Sequence, residues 1–186
     1  MNLRFTIKKL MPLCWQKQFF WDTELRMIKF FTTTRIMSKV KYFELNDSFI
    51  DELVCFQNEF SKDLNENISN HFTLKKSQIF TLIACSRKSI IGFLIAQRII
   101  DSFEINSFFI SPSFRGMGVG EKLLGNFIKN SCEKKITSIY LEVMKSNKIA
   151  IKLYSKFKFL IYGSRKDYYE INGLKYDAIL MKLILN

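Results

Sequence analysis

Three glycines that lie between a strand-like run and a helical pattern restrict the fold of this chain more than any other feature. Gly116, Gly118 and Gly120 follow the alternating run Phe103–Ser111 and precede an amphipathic pattern that starts at Glu121. Because glycine has no Cβ, successive backbone N–H groups in such a loop can turn towards one point, where the positive end of the helix dipole also lies. The segment therefore predicts a strand, a phosphate-binding loop and a helix.

The spacing of these glycines differs from that of two common nucleotide-binding motifs. It does not follow the dinucleotide pattern G-x-G-x-x-G, and no acidic residue is suitably placed for a ribose. It does not follow G-x-x-x-x-G-K-[ST] either, because Lys122 is followed by Leu123. The glycines alone are also compatible with an ordinary strand-to-helix turn, so further residues have to decide.

Hydrophobic periodicity along the chain indicates one domain with a mixed sheet. Apolar or alternating runs predict strands at Val40–Leu45, Phe80–Cys85, Ile90–Ile100, Phe103–Ser111, Ile136–Met144, Arg165–Ile171 and Lys175–Leu185. Helical stripes are formed by Ile50, Leu53, Val54 and Phe60, by Leu123, Leu124, Phe127, Ile128 and Cys132, and by Ile149, Ala150, Leu153, Tyr154 and Phe157. We expect an α/β (α+β) fold, with a single mixed six- to seven-stranded sheet flanked by about four helices.

The formal net charge of +12 favours phosphate-bearing ligands without indicating a nucleic-acid module. Residues 1–37 contain seven Lys/Arg and two Asp/Glu, and the remaining surplus is spread over the chain without a long basic run. Modules that bind nucleic acid usually concentrate their charge on one helix or stripe. We therefore expect no specific nucleic-acid partner.

The cysteines and the single histidine argue against a metal site and against nucleophilic catalysis. The cysteines, at 14, 55, 85 and 132, form no C-x-x-C pair, and His71 lies in a polar, loop-like stretch. A structural zinc site needs about four closely spaced ligands. We predict no metal, no disulfide framework and a reducing, cytoplasmic location, with a monomeric chain.

The first 37 residues are basic and aromatic and lack the features of a membrane span or a secretory signal. Three interpretations stay open: sequence upstream of a true start at Met37, an organelle-targeting or membrane-surface helix, or an extra element packed on the domain. We predict an N-terminal extension over residues 1–37 and a single domain over residues 38–186, and we favour the first interpretation.

Several motifs that occur in order resemble the GNAT acetyltransferases, and within them the RimI-type enzymes. Arg115-x-x-Gly118-x-Gly120 matches the family's Arg/Gln-x-x-Gly-x-Gly/Ala loop. Further similar segments are Leu141-Glu142-Val143, Asn147, Ala150, Leu153-Tyr154, Phe159, Arg165-Lys166-x-Tyr168-Tyr169 and Asp177-Ala178-Ile179-x-Met181. The resemblance covers about Val40 to Leu185, is dense after Ile105, and implies the GNAT fold and acetyl-CoA as cosubstrate.

The resemblance also implies which residues contact coenzyme A. They are the backbone at the end of the predicted strand, the glycine loop with its flanks, and one asparagine, namely Phe108, Phe109, Ile110, Arg115, Gly116, Met117, Gly118, Val119, Gly120, Glu121 and Asn147. Two positions depart from the family pattern. Lys158 replaces a glycine at a helix end that favours positive φ, and Glu121 replaces a residue that is often basic, which predicts weaker phosphate contacts.

Glu142 and Tyr154 are the candidate base and acid. Glu142 interrupts an apolar strand, where desolvation makes a carboxylate a better base, although a Glu that faces solvent or an arginine explains the pattern equally well. Tyr154 carries a phenol that can protonate a departing thiolate, or it is a core residue on a helical stripe. The family resemblance favours the catalytic interpretation of both.

RimI-type enzymes acetylate the N-terminal alanine of a small-subunit ribosomal protein, so the resemblance implies a protein α-amine as the acceptor. Two alternatives stay open. One keeps the fold and cosubstrate but uses a small amine or a lysine side chain. The other is a basic RNA- or ribosome-binding module without activity. Tyr168 and Tyr169 are candidates for the wall of the acceptor slot, or for simple cross-strand packing.

Overall fold

The computed structural model describes residues 40–60 and 78–185, which belong to one compact unit. The predicted N-terminal extension with Cys14, the stretch that contains His71, and most of the predicted loop at 61–78 lie outside these residues.

A seven-stranded mixed sheet forms the centre of the described part and confirms the predicted fold class. Its strands are β1 (Val40–Glu44), β2 (Ile79–Ser86), β3 (Ser89–Ile99), β4 (Ser102–Ile110), β5 (Ser138–Met144), β6 (Leu160–Ile171) and β7 (Leu174–Ile184). Their order is β1-β2-β3-β4-β5-β7-β6, with β4 and β5 parallel and all other neighbours antiparallel. Strand β6 begins at Leu160, five residues before the predicted start at Arg165. The prediction missed these residues because both Leu160 and Ile161 are exposed, so the segment has no alternation of buried and exposed side chains.

Three α-helices accompany the sheet within the described residues. They are α1 (Ile50–Glu59), α2 (Val119–Glu133) and α3 (Lys148–Lys156), with short 3₁₀ turns at Asp47–Phe49 and Pro112–Phe114. The predicted apolar stripes were wrong at three positions, whereas their other members are buried or half-buried. Val54, Cys132 and Ile149 are exposed, whereas Phe56 and Ser131 are buried.

Helix α1 covers one face of the sheet through a phenylalanine cluster. The Phe56 ring lies 6.1 Å from that of Phe93 and 6.0 Å from that of Phe109, in a buried cluster that also contains Leu53 and Ile95. Complete burial of one such side chain contributes about 1.5–3 kcal/mol.

Helix α2 covers the opposite face of the sheet through a second cluster. Phe127 of the helix lies 5.4 Å from Phe103 and 5.9 Å from Phe80, measured between ring centroids. Leu123 and Leu124, one turn earlier, have no exposed surface. This packing fixes the N-terminus of α2, and with it the glycine loop, against the sheet.

Helix α3 ends in a Schellman motif that requires a left-handed residue. The N–H of Phe159 donates to the carbonyl of Tyr154 at 3.1 Å, and the N–H of Lys158 donates to Ser155 at 2.9 Å. Lys158 has φ +65°, which confirms the predicted positive φ at this position. A side chain with Cβ is strained in this region, where glycine is the usual residue.

Lys158→Gly is therefore expected to stabilise the protein by roughly 0.5–1 kcal/mol, since the relief of strain exceeds the added freedom of the unfolded chain. Thermal unfolding measures the effect as a rise in Tm of about 1–4 °C. Lys152→Gly, at an exposed position inside the same helix, is the matched control and should lower stability by about 1 kcal/mol. A loss of stability in Lys158→Gly would contradict the strain.

Candidate active site

A wedge opens between the parallel strands β4 and β5. Their pairing covers Ser102–Ile105 and Ser138–Leu141 and then stops, although β4 continues to Ile110 and β5 to Met144. Beyond this point the β5-facing backbone groups of β4 have no strand partner among the described residues. Such groups need hydrogen bonds, so the wedge suits an extended ligand with amide groups.

A β-bulge lies at the start of the wedge. Ile95 of β3 pairs with Ser107 and Ala96 with Ile105, which leaves Asn106 as the extra residue of β4. The bulge reverses the faces of the strand, so that Phe103 packs under α2 whereas Phe109 packs under α1. Asn106 Oδ1 is buried and meets no donor within the described part.

The glycine loop lies between the end of β4 and the start of α2. Gly116 has φ +72°, and Gly118, the N-cap of α2, has φ +79° without a side-chain cap. A helix that starts without a side-chain cap leaves its first N–H groups available for an anion. Arg115 closes the other end of the loop, because its Nε donates to the carbonyl of Ile110 at 3.0 Å.

Gly120 brings the loop into contact with β4 and α3. A Cβ at this position would lie 3.4 Å from Ile110, 3.6 Å from Phe108 and 3.9 Å from Leu153. The predicted contact residues of β4 and of the loop are therefore neighbours in space. Phe109 differs, because its side chain belongs to the core under α1, so that only its backbone faces the wedge.

The remaining predicted contact residues have mixed environments. Val119 is completely buried under the sheet, and Met117 is half-buried. Asn147 caps α3, with Oδ1 accepting the N–H of Ala150 at 3.1 Å, as expected for asparagine, a preferred N-cap residue. Glu121 is paired with Lys156 of α3 at 2.6 Å, so a cation offsets the acidic charge that we expected to weaken phosphate contacts.

Tyr154 lies beside the wedge on the side of α2. Its ring centroid is 6.3 Å from that of Phe108 and 5.6 Å from that of Phe159. Burial raises the pKa of Tyr154, and the nearby Tyr169 raises it further. The phenol is therefore protonated throughout the neutral range, as a proton donor has to be.

Glu142 lies on the other face of β5 and has two partners from β6. The alternation of buried Leu141 and Val143 directs Glu142 away from α2, and its side chain is 17% exposed. Oε1 is 3.1 Å from a guanidinium nitrogen of Arg165. Tyr168 donates a hydrogen bond to the same carboxylate, and this bond is the main cause of the raised pKa of Tyr168.

The adjacent tyrosines of β6 thus approach the two candidate groups from opposite faces. Tyr168 contacts Glu142, and Tyr169 lies close enough to Tyr154 to affect its pKa. The sequence singled out both tyrosines, but it could not show that each approaches a different candidate group. The pairing with Arg165 confirms the alternative that Glu142 faces an arginine. The sequence could not identify that arginine, because the two residues lie 23 positions apart and on strands separated by β7.

Metal ligation and membrane insertion find no support in the described residues. No group of three or more His, Cys, Asp or Glu side chains in residues 40–60 and 78–185 is arranged to hold an ion. No helix within the same ranges is long and apolar enough to cross a membrane. Cys85 is buried, and burial raises its pKa to about 11, which makes the thiol a poor nucleophile.

Comparison with known proteins connects this geometry to one family. The family model described as the acetyltransferase (GNAT) family matches residues 44–159. The [ribosomal protein bS18]-alanine N-acetyltransferase of Haemophilus ducreyi is 35% identical over 98 residues, which cover 52% of this chain and 68% of that protein. Its counterpart in Haemophilus influenzae is 34% identical over 117 residues, which cover 61% of this chain and 80% of that protein.

Solved structures share the fold at lower identity. The ribosomal-protein-S18-alanine N-acetyltransferase of Escherichia coli has a TM-score of 0.67 at 19% identity, over 78% of this chain and 93% of that one. Arabidopsis thaliana NAA60 in complex with acetyl-CoA has the same TM-score and identity, over 78% and 98% of the two chains. The chain belongs to the GNAT family of acetyltransferases and is an acetyl-CoA-dependent N-acetyltransferase.

Proposed function

We propose that the protein transfers the acetyl group of acetyl-CoA to the N-terminal α-amine of a protein, with a ribosomal protein that begins with alanine as the acceptor. The observation that carries the proposal is the wedge between β4 and β5, with the glycine loop at one end and Glu142 and Tyr154 on its two sides. The two Haemophilus relatives, which are named as [ribosomal protein bS18]-alanine N-acetyltransferases, support this acceptor. We propose that the enzyme acts as a cytoplasmic monomer without a metal.

The cosubstrate fits the wedge and the loop. The pyrophosphate of coenzyme A would be held by the N–H groups of the loop between Gly116 and Gly120, helped by the dipole of α2. The amides of the pantetheine arm would pair with the free edge of residues 106–110 of β4. A backbone N–H of the same edge would polarise the thioester carbonyl.

The proposed chemistry is a direct attack of the acceptor nitrogen on the thioester carbon. The new C–N bond forms as the C–S bond breaks, and the departing thiolate takes the phenolic proton of Tyr154. The surplus proton of the amine passes to Glu142, directly or through a water molecule. An α-amine, with a pKa of about 8, needs only modest help from such a base, whereas a lysine amine is about 3 kcal/mol further from its reactive form.

The acceptor prediction is tested with acetyl-CoA and a peptide that begins with alanine. We expect acetylation of its free N-terminus, no transfer to the same peptide with a blocked N-terminus, and little transfer to an internal-lysine peptide. Mass spectrometry locates the acetyl group. Transfer to lysine alone, or to none of the peptides while acetyl-CoA still binds, would contradict the α-amine acceptor and direct attention to small amines.

Glu142→Gln keeps the shape of the side chain but removes the base, so kcat/KM for the alanine peptide should fall about a hundredfold or more. Glu133→Gln, at the exposed end of α2, is the matched control and should leave the rate unchanged. Steady-state kinetics with circular dichroism of both variants make the comparison. A folded Glu142→Gln enzyme with the wild-type rate would remove Glu142 from the mechanism.

Tyr154→Phe retains the ring packing against Phe108 and Phe159 and removes the proton donor. We expect kcat to fall about a hundredfold, with acetyl-CoA affinity unchanged. Tyr42→Phe serves as the control, because its buried hydroxyl has no partner among the described residues and lies in β1 at the far edge of the sheet. Equal kcat in the wild type and Tyr154→Phe would show that the thiolate is protonated by another group.

Gly118→Ala tests whether the loop holds the cosubstrate. Alanine at φ +79° is strained by about 1–2 kcal/mol, and the loop relieves this strain by leaving the conformation that would bind the pyrophosphate. We expect acetyl-CoA to bind about 5- to 30-fold more weakly, as measured by isothermal titration calorimetry. Gly125→Ala is the control within α2, where a Cβ meets only ordinary contacts with Phe157. Unchanged affinity in Gly118→Ala would indicate that the loop does not hold the cosubstrate.

A further inference from the structure

Arg165 crosses the neighbouring strand to reach Glu142. It lies on edge strand β6, and its register partner on β7 is Ala178, which is completely buried and in turn pairs with Met144 of β5. A small residue at this position leaves room for the arginine side chain to pass over β7. The guanidinium ends 3.1 Å from Oε1 of Glu142 and 5.1 Å from the ring centroid of Tyr168.

Arg165 approaches Glu142 from the side opposite the wedge. In the sheet order β4-β5-β7-β6, the arginine reaches β5 from the β7 side, whereas the wedge opens on the β4 side. Tyr168 comes from β6 as well. Both contacts therefore hold the carboxylate from behind and do not occupy the space where an acceptor amine would enter.

The other charged and titratable groups near this carboxylate are placed differently. They are Glu104 of β4, Tyr140 of β5, Tyr162 of β6 and Lys182 of β7. Lys182 lies against the ring of Tyr162, with Nζ 5.7 Å from its centroid. Among the described residues, Arg165 is thus the cation in direct contact with Glu142.

We propose that Arg165 is a positioning residue, which acts through Glu142 by holding its carboxylate at the edge of the wedge. The proposal rests on the function proposed above. Catalytic bases are commonly oriented by a third group, and displacement of a reacting group by about 1 Å can lower the rate a hundredfold. Tyr168 supports the same orientation as a neutral hydrogen-bond donor, whereas Arg165 adds a positive charge.

The test measures kcat, the acceptor KM and the acetyl-CoA affinity of Arg165→Gln with the alanine peptide. We expect kcat to fall about tenfold to a hundredfold, with acetyl-CoA affinity unchanged and with partial recovery in Arg165→Lys, which keeps the charge but loses the planar fork. Lys166→Gln removes the same charge from the next position of β6, beside Asp177, and should have wild-type kcat.

A double-mutant cycle separates positioning from a general loss of structure. If Arg165 acts through Glu142, Arg165→Gln should change the rate of the Glu142→Gln enzyme by no more than about twofold. An equal loss of kcat in both backgrounds, or wild-type kcat in Arg165→Gln, would overturn the proposal. The thermal unfolding of each variant is measured as well. If Arg165→Gln is unfolded, the cycle is measured with Arg165→Lys instead. In that case the proposal requires that the kcat of Arg165→Lys lies below that of the wild type.

The wild-type enzyme distinguishes failure of this proposal from failure of the proposed function. Absence of transfer by the wild type to the alanine peptide would refute the function, and the positioning role with it. Normal wild-type transfer combined with normal transfer by Arg165→Gln would refute the positioning role alone.

Discussion

The early end of pairing between β4 and β5 is the constraint on which the rest of the site depends. The bulge at Asn106 turns the end of β4 so that Phe108 and Ile110 face α2 and α3, while Phe109 enters the core under α1. As a result, one strand anchors a phenylalanine core on one face and presents the glycine loop on the other. A regular ladder to Ile110 would close the wedge and leave no free strand edge for an extended ligand.

The two faces of the sheet contribute different chemistry to the wedge. On the side of α2 the surroundings are apolar, and burial keeps the phenol of Tyr154 protonated. On the other side lies a polar group of side chains, with Glu142 held by Arg165 and Tyr168. The proposed proton donor and the proposed proton acceptor therefore lie on opposite sides of the strand.

Local patterns explain why so much of the fold was predictable. The seven strands follow from runs of β-branched and apolar residues, and the turn between β6 and β7 follows from Asn172-Gly173. The errors also have local causes. Val54 and Ile149 were misplaced because successive helical residues point about 100° apart, so that a residue next to a buried one can already face solvent. The start of β6 was missed because an edge strand with both faces exposed has no alternating pattern.

The sequence by itself determined the order of elements, the glycine loop and the residue types able to act as base and acid, since these depend on neighbours within a few positions. Only the tertiary structure decided that β4 and β5 separate at Ile105, that Glu121 is neutralised by Lys156, and that Arg165 holds Glu142. These contacts join residues that are distant in the chain. The pair of Arg165 and Glu142 spans β7, which the sheet places between β5 and β6, and the small residue Ala178 at this position lets the long side chain pass.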